Sequence, residues 1–115
     1  MRAIFLVSVF LLAFAANAPS ASAADVRLFV RHEVNDYAAW RKVYNDFGKA
    51  RHNLGVTAAA VYRSNDNPND VTVTHDFKSM EQARAFIASP DLKAAMEKAG
   101  VKGAPQIWIT TRAAK

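Results

Sequence analysis

A two-layer α+β domain with the element order βαββαβ is the fold class this sequence predicts, and three observations predict it. Residues 26–34 alternate with period two: Val26, Leu28, Val30, His32 and Val34 fall on one face, Arg27, Phe29, Arg31 and Glu33 on the other. Residues 70–77 repeat that alternation with Val71, Val73, His75 and Phe77. Between and after these strands, apolar residues recur at spacings of three and four, the period of an amphipathic helix.

The elements follow in order. After the first strand, Asn35 and Asp36 are cap-type residues. Tyr37, Trp40, Tyr44, Phe47 and Leu54 then form a stripe that Val43 and Ala50 widen, predicting one helix that ends near Gly55. Gly48 weakens it slightly. Residues 57–63 predict a second strand with Ala58, Ala60 and Tyr62 on one face, and Ser64 to Asn69 a dense turn. Ser79 opens the next helix, with Gln82 three positions on as a capping box. Met80, Ala83, Phe86 and Ile87 are its stripe. Ser89-Pro90-Asp91 breaks it and restarts a short helix over residues 92–99, which Gly100 ends. Residues 105–111 are the last strand, with Ile107 and Ile109 opposite Trp108.

Two right-handed crossovers joined by a hairpin give a ferredoxin-like, four-stranded antiparallel sheet with both helical layers on one face. The other face would carry Phe29 and Trp108. An exposed apolar sheet face suits a subunit interface, so a homodimer is expected.

Residues 1–23 carry the order of a secretory signal peptide: positive Met1-Arg2, an apolar run from Ala3 to Ala16 broken only by Ser8, then Ala21-Ser22-Ala23 as a small-x-small site. Cleavage is expected after Ala23, with Ala18 as the alternative, which places the protein in the periplasm or outside the cell. The apolar run is shorter than the roughly 20 residues a membrane span needs, so no membrane attachment is expected after cleavage. Residues 24–115 would then be one domain of 92 residues.

The chain has no cysteine. That removes thiol catalysis, thiolate metal sites and disulfides, so packing and association must supply the stability. Fifteen Lys and Arg face ten Asp and Glu in the full chain, and losing Arg2 leaves fourteen against ten. The positive charge is scattered rather than blocked, and nucleic acid is not an expected partner. Asp66 to Asp70 invites a calcium reading, but Val71 and Phe77 stand where an EF-hand loop needs glycine and glutamate. No metal is expected.

The segment His32-Glu33-Val34-Asn35-Asp36-Tyr37-Ala38-Ala39-Trp40-Arg41 resembles the opening of small proteins of the dimeric α/β-barrel superfamily, relatives of the antibiotic biosynthesis monooxygenases often labelled cyclase-like. Ala83-Arg84-Ala85-Phe86, Ser89-Pro90-Asp91-Leu92 and Ala99-Gly100-Val101 fit the same group. The resemblance implies a dimer whose sheets pack together, with a pocket in each subunit between sheet and helices. Some members of that group oxidise aromatic polyketides with oxygen and no cofactor, some bind or degrade haem, and many have no established activity. The absence of histidine from the second helix counts against the haem-degrading relatives, and no cofactor is expected.

Two histidines on apolar strand faces are the candidate chemistry. His32 and His75 belong to neighbouring antiparallel strands and should lie about 10–15 Å apart at about 3.4 Å per residue, too far to share a metal. Each is either a general base, since imidazole titrates near neutrality, or a core histidine satisfied by a neighbour. Tyr37, Trp40 and Tyr44 on the sheet side of the first helix either line a pocket for a flat aromatic ligand or simply pack. In the catalytic reading His32 takes a proton from a phenol or enol, Tyr44 donates a hydrogen bond to the substrate, and Tyr37, Trp40 and His75 hold the ring. In the alternative, the protein is a non-catalytic ligand-binding or stress-related dimer; haem binding is the weaker third.

Overall fold

The computed structural model describes residues 25–115, so the expected signal peptide lies outside the described residues. The chain runs β1 (Val26–Val34), α1 (Tyr37–Asp46), α2 (Gly48–Asn53), β2 (Ala58–Arg63), β3 (Asp70–Phe77), α3 (Met80–Ile87), α4 (Pro90–Lys98) and β4 (Val101–Thr111). The strands form one antiparallel sheet in the order β2-β3-β1-β4. This is the ferredoxin-like arrangement the alternation predicts.

Period two places Val26, Leu28, Val30, His32 and Val34 inside, and every one of them is buried. On β3 the same rule buries Val71, Val73, His75 and Phe77. The interior divides into two apolar clusters. One gathers Val26, Leu28, Val30 and Phe77 of the sheet under Ala83 and Phe86 of α3. The other gathers Val34, Val71 and Val73 under Trp40 of α1 and Ala99. His32 stands between Val30 and Val34 on β1, and His75 between Val73 and Phe77 on β3, so both imidazoles fall on the seam between the clusters.

The first predicted helix is two segments, broken for one residue at Phe47. Hydrogen bonds cross the break, from Phe47 N–H to the Val43 carbonyl (3.0 Å) and from Arg51 N–H to the Phe47 carbonyl (2.9 Å). The apolar stripe therefore stays in phase across it. Gly55 at φ +102° ends α2. Its N–H donates to the His52 carbonyl at 3.0 Å and that of Val56 to the Arg51 carbonyl at 3.1 Å, which together make a Schellman cap.

Ser79 caps α3 through the Gln82 N–H (3.1 Å), and Ser89 caps α4 through Asp91 (3.1 Å). The last helix starts at Pro90 rather than Leu92, with proline in the first turn where its missing N–H costs nothing. The last strand starts at Val101 rather than at Pro105. Its pairing with β1 is irregular there: between the pairs Arg31–Gln106 and Glu33–Lys102, β1 contributes only His32 and β4 contributes residues 103–105.

The sheet face without helices carries Phe29 and Trp108, stacked with centroids 5.2 Å apart and planes 1° from parallel. Trp108 and Tyr62 are exposed there. Ion pairs Arg27–Asp76 (2.6 Å) and Arg31–Asp70 (2.7 Å) lie on the same side of the sheet. Among the described residues, no helix is long and apolar enough to cross a membrane.

Candidate functional site

The site begins with how α1 is anchored. Asp36 accepts from the Ala39 N–H (2.9 Å), the Asn69 side chain accepts from the Tyr37 N–H (2.9 Å), and the Asn35 N–H donates to the Gly100 carbonyl (2.9 Å). These bonds tie the start of the helix to the turn before β3 and to the end of α4. Positions 37, 40 and 44 then share the face over the sheet, because residues three and four apart are neighbours on a helix.

The result is a continuous aromatic row. Tyr37 stacks on Trp40 (5.8 Å), Trp40 on Tyr44 (4.8 Å), and Tyr44 lies parallel to the His75 ring (6.1 Å). His32 meets Trp40 edge to face at 5.8 Å, and His75 meets Phe86 likewise at 5.1 Å. Beneath this row is a cavity of about 50 Å³, lined by Leu28, Val30, Val73, Phe86, Ile107 and both histidines, with Arg51 at its edge. Leu92, Ala95 and Met96 of α4 bound it on another side. No residue of α4 is fully buried.

The predicted site residues therefore do come together. Trp40, Tyr44, His32 and His75 line one cavity; Tyr37 stacks behind Trp40 without lining it. His32 pairs with Val71 and His75 with Leu28 in the β1–β3 register. They stand four positions apart, about 14 Å along the strands at about 3.4 Å per residue. Among the described residues no cluster could hold a metal ion.

The two imidazoles differ in their partners. His75 Nε2 meets the Tyr44 hydroxyl at 3.2 Å, while its Nδ1 is buried without a protein partner. Neither ring nitrogen of His32 has any protein partner, although the residue is only 7 % exposed. A satisfied core histidine would have one. Burial pushes both imidazoles down to about 4; nearby Asp70 slightly opposes this at His32, whereas Arg51 adds to it at His75 and Asp76 opposes it. At neutral pH both are uncharged, and a neutral imidazole has one bare nitrogen that can accept a proton. Burial raises the Tyr44 phenol, with Arg51 and Arg41 opposing, so Tyr44 keeps its proton. Its hydroxyl meets His75, and the His75 tautomer sets which of the two donates.

Arg51 is the site residue that sequence pattern did not single out. Its guanidinium carbon sits 3.6 Å from the centre of the Tyr44 ring, and it donates to the Tyr44 carbonyl. The signal was present: position 51 is seven after Tyr44, four after Phe47 and three before Leu54, on the apolar stripe. A charged residue at a stripe position is the anomaly that marks it.

A ferredoxin-like domain with an apolar sheet–helix cavity and buried, neutral histidines is the class that fold and site define. No protein-family model matches the sequence, and no curated protein matches it. Solved structures do match. SnoaB, a cofactor-independent oxygenase from Streptomyces nogalater, superposes with a TM-score of 0.64 at 18 % identity, over 80 % of this chain and 97 % of its own. A Caulobacter crescentus protein provisionally assigned as an antibiotic biosynthesis monooxygenase gives 0.65 at 20 %, over 81 % and 93 %. A Nitrosomonas europaea protein of unknown function gives 0.65 at 22 %, over 82 % and 95 %. What this chain shares with them is the ferredoxin-like fold.

Proposed function

We propose that this protein is an exported homodimer that binds a small aromatic or apolar molecule in the sheet–helix cavity and oxidises it with molecular oxygen, without a cofactor. The observation that carries the reading is His32: a buried imidazole with two unpartnered nitrogens beside Trp40 in a largely apolar cavity. Such a group costs stability unless a ligand uses it. The export pattern in residues 1–23 and the fold shared with SnoaB support the rest.

His32 takes a proton from an acidic C–H or O–H of the ligand, and Trp40 holds the ring. The resulting anion passes one electron to oxygen, and the superoxide and carbon radical combine into a peroxide. Loss of water then leaves a carbonyl: a CH₂ carbon gives up two hydrogens, keeps one oxygen atom and releases the other as water. Tyr44 keeps His75 oriented through the 3.2 Å contact. A cavity of about 50 Å³ holds only about three to five waters at about 10–15 Å³ each, so a ring system enters by displacing Leu92 and Met96 as α4 moves outward.

Oxygen uptake with anthrone- and quinol-type substrates tests the reaction. Replacing His32 by Ala is expected to lower turnover by about 100-fold or more, the usual scale for a general base. Normal turnover in that variant would remove His32 from the mechanism. The depressed basicity of both imidazoles favours a second reading, binding without turnover. Quenching of Trp40 fluorescence by the same compounds, with no oxygen consumed, would select it.

The dimer forms through the helix-free sheet face, where the Phe29–Trp108 stack is the apolar centre. Sedimentation should give twice the mass of the mature chain, and Trp108→Asp should give the single chain. A wild-type monomer at high concentration would overturn this assembly.

A further inference from the structure

We propose that Arg51 makes the cavity a site for an aromatic oxyanion, with the guanidinium meeting a carboxylate or ionised hydroxyl of the ligand at the Tyr44–His75 end. The inference rests on the pocket reading above and names the ligand class.

Arg51 is half-buried, and it lines the cavity. The Schellman cap at Gly55 uses its carbonyl, which fixes its backbone, and the Tyr44 ring and carbonyl hold one side of its guanidinium. What it lacks is an anion. The ion pairs among the described residues are those of Arg27, Arg31 and Arg112, each with an aspartate. Arg51 has none, and Arg41, whose guanidinium is 5.6 Å from the other cationic contact's ring, Tyr44, adds a second positive charge. Burying a cation beside another cation with no carboxylate is unfavourable: burial lowers its hold on the proton, Tyr44 opposes this, and Arg41 adds to it. An anionic oxygen from the ligand completes the arrangement, since guanidinium binds carboxylate and phenolate oxygens through charge-assisted hydrogen bonds. His75 Nδ1, buried and unpartnered, is a second polar atom at the same end. The apolar body of the ligand then points along the cavity toward His32 and Trp40.

The test uses naphthoate and neutral naphthalenemethanol as a matched pair, with naphthol as a third probe, followed by calorimetry on the mature chain. Wild type should bind naphthoate more tightly than naphthalenemethanol. Arg51→Met should weaken naphthoate by about 10- to 100-fold, the worth of a hydrogen bond to a charged group, and change naphthalenemethanol by less than about twofold on that scale. Arg51→Lys should restore part of the loss. Naphthol that tightens as it ionises would identify the phenolate as an accepted oxyanion; tight naphthoate alone would identify the carboxylate. Equal weakening of charged and neutral probes in Arg51→Met would make Arg51 merely structural and overturn the inference while leaving the pocket reading intact. Failure of wild type to bind any of the three would overturn both.

Discussion

Replacing His32 by Phe is expected to raise the free energy of unfolding by about 1–3 kcal/mol while abolishing oxygen-consuming activity. The two effects have one cause. Both nitrogens of His32 are buried without a protein partner, so the folded state forfeits hydration that the unfolded chain retains. A phenyl ring removes that debt and keeps the edge-to-face contact with Trp40. Its extra carbon has the adjoining cavity to occupy. Urea unfolding at a fixed protein concentration measures the change, since association would otherwise shift the midpoint. An unchanged or lower stability would mean that solvent satisfies the imidazole in the folded protein, and the case for a poised base would fall with it.

Acid is expected to destabilise the protein well before its carboxylates titrate. An unfolded histidine takes up its proton near pH 6.5, whereas His32 and His75 resist it until about pH 4. Between those values the unfolded chain binds more protons, so stability rises with pH across the window and is lost as pH falls through it. It is fully present above about pH 7. Each histidine contributes on the order of 2–3 kcal/mol. The Asp70 carboxyl, held below its usual range chiefly by the hydrogen bond from Arg31, adds a loss only at still lower pH. Urea midpoints at a series of pH values from about 7 to 4 should therefore fall steeply in wild type and less so in His32→Phe. Equal slopes in the two proteins would show that His32 does not stay neutral on folding.

Much of the architecture was legible because two strands alternate strictly. The faces of β1 and β3, the separation of their histidines, and the placement of Phe29 and Trp108 on the helix-free face all follow from period two and the crossover rule. The boundaries were less legible. Phe47 interrupts the first helix although the apolar stripe runs through it, because one non-ideal residue leaves the spacing of three and four intact. Val101 to Ala104 join β4 although Gly103 and Pro105 signal a turn, because pairing with the buried start-to-end length of β1 outweighs local preference. The candidate site was legible in Trp40, Tyr44, His32 and His75. Arg51 was not, since a search for apolar residues passes over a cation whose stem packs on a ring. The lack of partners on His32 was not legible either: which backbone groups reach an imidazole is decided by tertiary packing, and no spacing encodes it.

The irregular stretch of β4 opposite His32 bears on how the protein can vary. Three residues on β4 face one on β1, an even excess of two. Even excess preserves parity: Val101 before the irregularity and Ile107 after it both point inward, without either end being turned over. Trimming two residues there would leave inside and outside sorted as they are, whereas trimming one would create an odd mismatch that only a new kink could absorb. This stretch of β4 can thus lengthen or shorten in steps of two while the rest of the sheet, Ile107 at the cavity included, stays in place.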